Sequence, residues 1–171
     1  MRIAIVSDSH LRHGQPPLAP RLVEALRGAS LILHAGDVAD AGGLALFEAI
    51  GPPVLAVAGN ADDESLRLQL PVFRLVETPA GTIALMHVLP PELCQAQRAV
   101  ESLLGQVERP LAVVYGHTHC PAVDTVPLQD GRQAWLVNPG STTRSRGWGH
   151  TFALMELDTD GRSRAWIEKL G

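Results

Sequence analysis

The chain has 171 residues, a formal net charge of −4 and 46 % hydrophobic residues, enough for one domain (residues 1–171) with a substantial core. The acidic balance disfavours a groove for long nucleic acid, and no apolar run approaches the roughly 18 residues of a membrane span. The two cysteines, Cys94 and Cys120, form no CxxC pair, so neither a disulfide scaffold nor a thiolate zinc site is expected, and each reads as a plain thiol in a reducing cytoplasm.

In chain order, Arg2 to Ser7 reads as a strand, and its position at the N-terminus leaves no signal-peptide pattern. Leu18 to Gly28 carries Leu22, Val23 and Leu26 at helical spacing. Leu31 to His34 is a short apolar strand, Leu44 to Ile50 a helix stopped at Gly51-Pro52-Pro53, and Val54 to Ala58 another strand. Val72 to Thr78 and Thr82 to His87 flank Pro79-Ala80-Gly81 as a hairpin. Pro91 to Leu104 has a helical pattern, and Leu111 to Tyr115 reads as a buried strand. Ala122 to Val126, Gln133 to Val137, Thr151 to Leu157 and Ser163 to Lys169 are strands separated by turns such as Asp130-Gly131 and Asp160-Gly161. Strands alternate with helices in the first half and form mostly a meander in the second. This predicts an α/β fold with a mixed sheet or two packed sheets flanked by helices.

The chemistry sits where the apolar strands stop. The first ends in Asp8-Ser9-His10, the second in Gly36-Asp37, the third in Gly59-Asn60, the fifth in His87, and Leu111 to Tyr115 in Gly116-His117-Thr118-His119. Sites in α/β sheets form outside the carboxyl ends of strands, so five segments are expected to deliver side chains to one edge. Imidazole and carboxylate without thiolate suit borderline divalent metals: manganese is favoured, with iron, nickel, cobalt or zinc compatible. Asp-x-His and His-x-His place two ligands on one face of an extended segment. A lone strand-end Asp is ordinarily a turn residue or cap and a lone His a hydrogen-bonded bystander; five at one topological position are not read as incidental. His34 reads as a buried, hydrogen-bonded His, His13 and His150 as surface residues, Asp62 as either an orienting group or the cap of the helix at Glu64, and Trp135, Trp148 and Trp166 as packing residues.

Together, Asp8-Ser9-His10, Gly36-Asp37, Gly59-Asn60-Ala61-Asp62, Gly116-His117-Thr118-His119 and Asn138-Pro139-Gly140-Ser141 resemble the motifs of the calcineurin-like metallophosphoesterases, closest to their small bacterial and archaeal phosphodiesterase branch. The resemblance implies two mixed β-sheets packed face to face between helices, a four-layer sandwich. It also implies two divalent metals: Asp8, His10 and His119 holding one, Asn60, His87 and His117 the other, and Asp37 bridging them. Asn138 to Ser141 would form a structural turn nearby. The expected activity is hydrolysis of phosphoesters, favouring phosphodiesters of a small phosphorylated substrate, by a metal-bridging hydroxide. Asn60, His87 and His117 would help to offset charge on the phosphoryl oxygens. Two alternatives stay open: a phosphomonoesterase or phosphoprotein phosphatase with the same metals, and a non-catalytic scaffold such as the retromer subunit of this fold. A homo-oligomer is compatible with the sequence. Three departures stand out: Leu11 where the family often has Gly, Val88-Leu89-Pro90 after His87, and Ala61 where larger phosphatases carry a His beside the leaving group.

Overall fold

The structure, a computed structural model, describes residues 1–14, 18–89, 96–158 and 160–171. The N-terminal strand β1 (Arg2–Val6) runs parallel to β2 (Leu31–His34), and β2 parallel to β3 (Val54–Ala56). The C-terminal hairpin β9 (Thr151–Leu157) and β10 (Ser163–Lys169) returns to this sheet and adds antiparallel to β1, giving the order β10-β9-β1-β2-β3. The second sheet holds β4 (Phe73–Thr78), β5 (Gly81–Met86), β6 (Pro110–Val114), β7 (Ala122–Pro127) and β8 (Gln133–Asn138) in the order β4-β5-β6-β8-β7.

Alternation along the strands builds the layers. Ile3, Ile5, Leu31 and Leu33 point between the sheets, where they pack with Val76, Ile83, Leu85, Val114 and Val137 of the second sheet. Ala4, Val6, Ile32, Phe152 and Leu154 point the other way, against Leu22 and Leu26 of α1 (Pro20–Arg27) and Phe47 of α2 (Ala41–Glu48). On the far face of the second sheet, Ala84, Val113, Ala134 and Leu136 meet Val100 and Leu104 of α4 (Ala96–Leu104). The expected four layers, helix–sheet–sheet–helix, are present. Among the described residues no helix is long and apolar enough to cross a membrane.

Several local expectations change. The second half is not a meander: β5 and β6 are parallel across the α4 crossover, and β6 pairs parallel with β8 while β7 lies outside as its hairpin partner. Apart from Thr82, strands β5 and β6 carry no polar side chain and are nearly all buried, as parallel strands covered on both faces must be. The helix expected from Pro91 is described from Ala96 onward; residues 90–95, including Cys94, lie outside the described residues. Helix α2 starts three residues earlier than its apolar pattern suggests, because the Asp40 carboxylate accepts from the Gly43 N–H at 2.8 Å and caps it. Gly43 itself is required, since a Cβ there would lie 2.0 Å from the Leu11 carbonyl oxygen. Helix α3 (Glu64–Gln69) is capped by Asp63, not Asp62, through the Leu66 N–H at 2.7 Å. Trp135 and Trp166 are half-buried and donate to Ser163 and Glu168 at 2.9 Å, whereas Trp148 is exposed rather than packed.

Candidate metal centre

Strands β1, β2 and β3 of one sheet and β5 and β6 of the other end on the same side of the sandwich. Asp8 and His10 follow β1, Asp37 follows β2, Asn60 follows β3, His87 follows β5, and His117 and His119 follow β6. The site therefore spans the adjoining ends of two sheets, not one sheet edge. The ligand pairs are not presented by extended backbone either. Asp8, His10, Asp37, His117 and His119 have φ of 52°, 46°, 57°, 69° and 61°, in the left-handed region that non-glycine residues rarely enter. Each such residue costs on the order of 1–3 kcal/mol, and strain of this kind concentrates where side chains must be aimed. The chain leaves each strand by a kink, and every kink turns the side chain inward.

The surrounding backbone is packed around the carboxylates. A Cβ at Gly59 would lie 2.2 Å from Asp37 Oδ1, and one at Gly116 would lie 1.9 Å from Ser7 Oγ and 2.8 Å from Asp8 Oδ2. The glycines before Asn60 and His117 thus serve close approach, not reversed φ. Asp8 Oδ2 accepts from Ser7 Oγ at 2.6 Å and from the His117 N–H at 3.0 Å, and Asp37 Oδ1 accepts from the Ala61 N–H at 2.7 Å.

The histidines fall into two groups. His119 Nδ1 donates to the Arg144 carbonyl, which turns Nε2 toward Asp8 Oδ1 at 3.2 Å. The His10 ring lies 5.4 Å from the His119 ring, with Nε2 3.9 Å from Asp37 Oδ2. On the other side, His87 Nδ1 donates to the Ala35 carbonyl at 2.7 Å, leaving Nε2 3.3 Å from Asp37 Oδ1 and 3.0 Å from Asn60 Oδ1. His117 Nδ1 lies 2.8 Å from the same Asn60 oxygen. Asp8, His10 and His119 bring ligand atoms within 4.8 Å of one another, as do Asp8, Asp37 and His87; either group can hold a metal ion.

The atoms that converge are acceptors. With its Nδ1 proton committed to a backbone carbonyl, a neutral His87 or His119 presents the Nε2 lone pair to a carboxylate oxygen, an arrangement that only a proton or a cation makes favourable. Asp8 is fully buried, and among the described residues neither its Oδ1 nor His10 Nε2 has a hydrogen-bond partner. Two carboxylates at 0 % and 3 % exposure, with no Lys or Arg ion-paired to them among the described residues, need positive charge from elsewhere. The residues present fit divalent metals.

Protonation follows the same geometry. Burial is the largest influence on Asp37 and pushes its carboxyl up, yet the His87 hydrogen bond, the Ala61 N–H and the nearby imidazoles together outweigh it and hold the group below its ordinary value. His87 is the counterpart: burial pushes it down, but the Asp37 hydrogen bond and charge leave it raised. Burial, joined by the Arg144 charge, lowers His10. His34 is fully buried, bonded to Ser9 Oγ at 2.9 Å and set edge-on against Phe47, and burial lowers it to about 3.

All seven residues singled out from the sequence gather here. His13 and His150 are exposed, as expected. Sequence reasoning left Asp62 open between two roles, gave Ser141 only as part of a structural turn near the site, and missed Ser7 and Thr143. Asp62, 5 % exposed, accepts from the Ala39 N–H at 2.8 Å and the Gly59 N–H at 2.6 Å, locking the Asp37 and Asn60 loops together. Ser141 Oγ donates to the Asp8 carbonyl at 2.7 Å, and Thr143 Oγ1 to the Ser9 carbonyl at 2.6 Å. Asn138 donates to the Gly116 carbonyl and Thr118 Oγ1, both at 3.0 Å, so the 138–141 turn ties the β1 and β6 loops. The signal for these was only proximity to a motif.

Residues 1–160 match the calcineurin-like phosphoesterase superfamily domain. A probable metallophosphoesterase of Methanothermobacter thermautotrophicus is 31 % identical over 160 residues, covering 92 % of this chain and 87 % of the relative. Among solved structures, an archaeal phosphodiesterase superposes with a TM-score of 0.70 at 22 % identity, covering 98 % of this chain and all of that one. Wild-type Vps29 of Entamoeba histolytica, complexed with zinc, has a TM-score of 0.69 at 19 % identity over the full length of both chains. These structural likenesses describe the fold, whereas the domain match and the archaeal relative fix the family. The chain belongs to the calcineurin-like phosphoesterase superfamily.

Proposed function

We propose that this protein hydrolyses small phosphodiesters at a dinuclear metal site, with manganese the favoured metal. The observation that carries the reading is the convergence of lone pairs from His119 and Asp8 on one side and His87 and Asp37 on the other. Asp8, His10 and His119 would hold one ion, Asn60, His87 and His117 the other, and Asp37, whose two oxygens face His87 and His10, would serve both. Divalent metals bound there supply Lewis acidity toward the phosphoryl group and make water nucleophilic at neutral pH.

The chain's own contributions follow from exposure. Asp8, Asp37, His87 and His119 are buried and form the floor, while Asn60 and His117 face solvent and can meet a phosphoryl oxygen. The Asn60 carboxamide turns Oδ1 inward to both imidazoles, leaving Nδ2 to donate outward as charge builds on the oxygens. Ala61 offers no proton to the leaving oxygen, so esters of acidic alcohols should react fastest. A soluble, cytoplasmic setting accords with the two unpaired-pattern cysteines, and residues 1–171 are read as one domain.

One observation favours phosphomonoesters as a second reading: Arg144 lines the same cleft as His10 and could clamp a dianion. The test strips the protein with chelator, refills it with single metals, and compares kcat/KM for a diester and a monoester sharing one aryl leaving group. A higher diester value supports the proposal; a tenfold higher monoester value rejects it. Absence of turnover of either ester by metal-loaded protein would favour a scaffold.

A further inference from the structure

The cleft beside His10 has a volume of about 540 Å³ and opens to solvent next to the metal centre. This is within the range of small-molecule sites. Its lining is mixed. Part is apolar: Leu11, Leu18, Ala19 and Leu22, from the loop after β1 and the start of α1. The loop after β8 adds Thr142 and Arg144 to the lining. Thr142 is 6 % exposed and its hydroxyl has no hydrogen-bond partner among the described residues, a state that buried hydroxyls rarely keep. Arg12 adds a second cation at the cleft, and none of the lining residues among those described is acidic.

On the phosphoesterase reading above, we propose that this cleft binds the ester's organic group and that the preferred substrates carry a planar apolar ring there. An apolar lining that also carries a guanidinium and a buried, unpartnered hydroxyl suits a flat ring, which would pack on leucine, stack with Arg144 and turn its edge to Thr142. A methyl or glyceryl group would leave the leucines wet. The two arginines accommodate the charge of the diester that His10 and its neighbours bind at the cleft's inner end.

The test uses manganese-loaded protein and three diesters sharing a 4-nitrophenolate leaving group, whose second substituent is methyl, phenyl or 5′-thymidyl. The phenyl and thymidyl esters should show kcat/KM at least tenfold above the methyl ester; the better of the two identifies aryl or nucleoside chemistry. Ala19 is exposed and its side chain makes no cap bond, so Ala19→Trp fills the cleft without disturbing the core. It should erase the ring preference, lowering kcat/KM for the phenyl and thymidyl esters at least tenfold relative to the methyl ester. Thr142→Val should lower the ring-bearing esters more than the methyl ester, and serves also if Ala19→Trp does not fold. Calorimetry with phenylphosphonate and methylphosphonate reads the cleft without turnover. Hydrolysis of all three esters at similar kcat/KM, or equal loss of all three in both variants, would overturn the subsite and leave the phosphoesterase reading standing. Tighter phenylphosphonate binding, lost in Ala19→Trp, without hydrolysis of any ester would uphold the subsite and overturn the activity. Neither turnover nor a ring preference in binding would overturn both.

Discussion

Asp62→Ala should be among the most destabilising changes outside the core, although Asp62 is not one of the seven converging residues. Its two oxygens accept from two backbone N–H groups, Ala39 at 2.8 Å and Gly59 at 2.6 Å, at 5 % exposure. Removing it strands two buried donors, each costing about 1–3 kcal/mol, for a total of roughly 2–6 kcal/mol. In a domain of this size 1 kcal/mol moves Tm by about 2–4 °C, so a central value of about 4 kcal/mol predicts a drop of roughly 8–16 °C. The same bonds hold the Asp37 loop to the Asn60 loop, so the folded variant at low temperature should also need more added metal for half-maximal activity. Scanning calorimetry of the metal-free protein isolates the first effect, and a metal titration reads the second. A Tm within about 2 °C of the parent would refute the reasoning, because two buried N–H groups cannot lose a carboxylate so cheaply unless water replaces it.

Asp37→Asn removes the carboxylate whose two oxygens face His10 and His87; kcat/KM should fall on the order of a hundredfold or more with reduced metal content by elemental analysis and a retained fold. Near-parental turnover would exclude Asp37 as the shared ligand. His87→Ala should weaken one of two ions and shift activity to higher added metal, whereas overlaid titration curves would make His87 a bystander. His34 titrates near 3 when folded and near 6.5 when unfolded, so it binds protons only in the unfolded chain between those values. Its contribution is complete above pH 6.5 and lost as pH falls toward 3, removing about 2 kcal/mol between pH 7 and pH 5. Its imidazole resonance should stay still from pH 8 to pH 5; a midpoint near 6 would contradict the buried neutral ring.

What the sequence disclosed was set by local signals. The apolar runs around Ile3, Ile32 and Val113 announced strands, and the polar residue after each announced where the site would lie, because strand ends are the only places where polar side chains can leave a two-sided core. Resemblance supplied what spacing could not, the pairing of two sheets. The return of Thr151–Leu157 to lie beside β1 is a contact between residues about 150 positions apart, and no local pattern encodes it. The same holds for Asp62. An Asp one residue before the Asp63 cap looks like a competing cap, and only the folded approach of Ala39 reveals its partner. Extended geometry for Asp8-Ser9-His10 was a reasonable expectation from the strand before it. It fails because five of the converging residues take left-handed backbone, a conformation that propensity assigns to glycine.

The central claim is that two metal ions sit among these seven side chains and that hydrolysis depends on them. The most direct measurement is equilibrium dialysis of chelator-stripped protein against manganese, with bound ions counted per chain and diester hydrolysis assayed at each point. The account predicts saturation at about two ions per chain, in keeping with a two-metal site, with activity absent from the stripped protein and rising as the second ion binds. Full hydrolysis by protein shown to contain no metal, or binding that saturates without any hydrolysis, would contradict it.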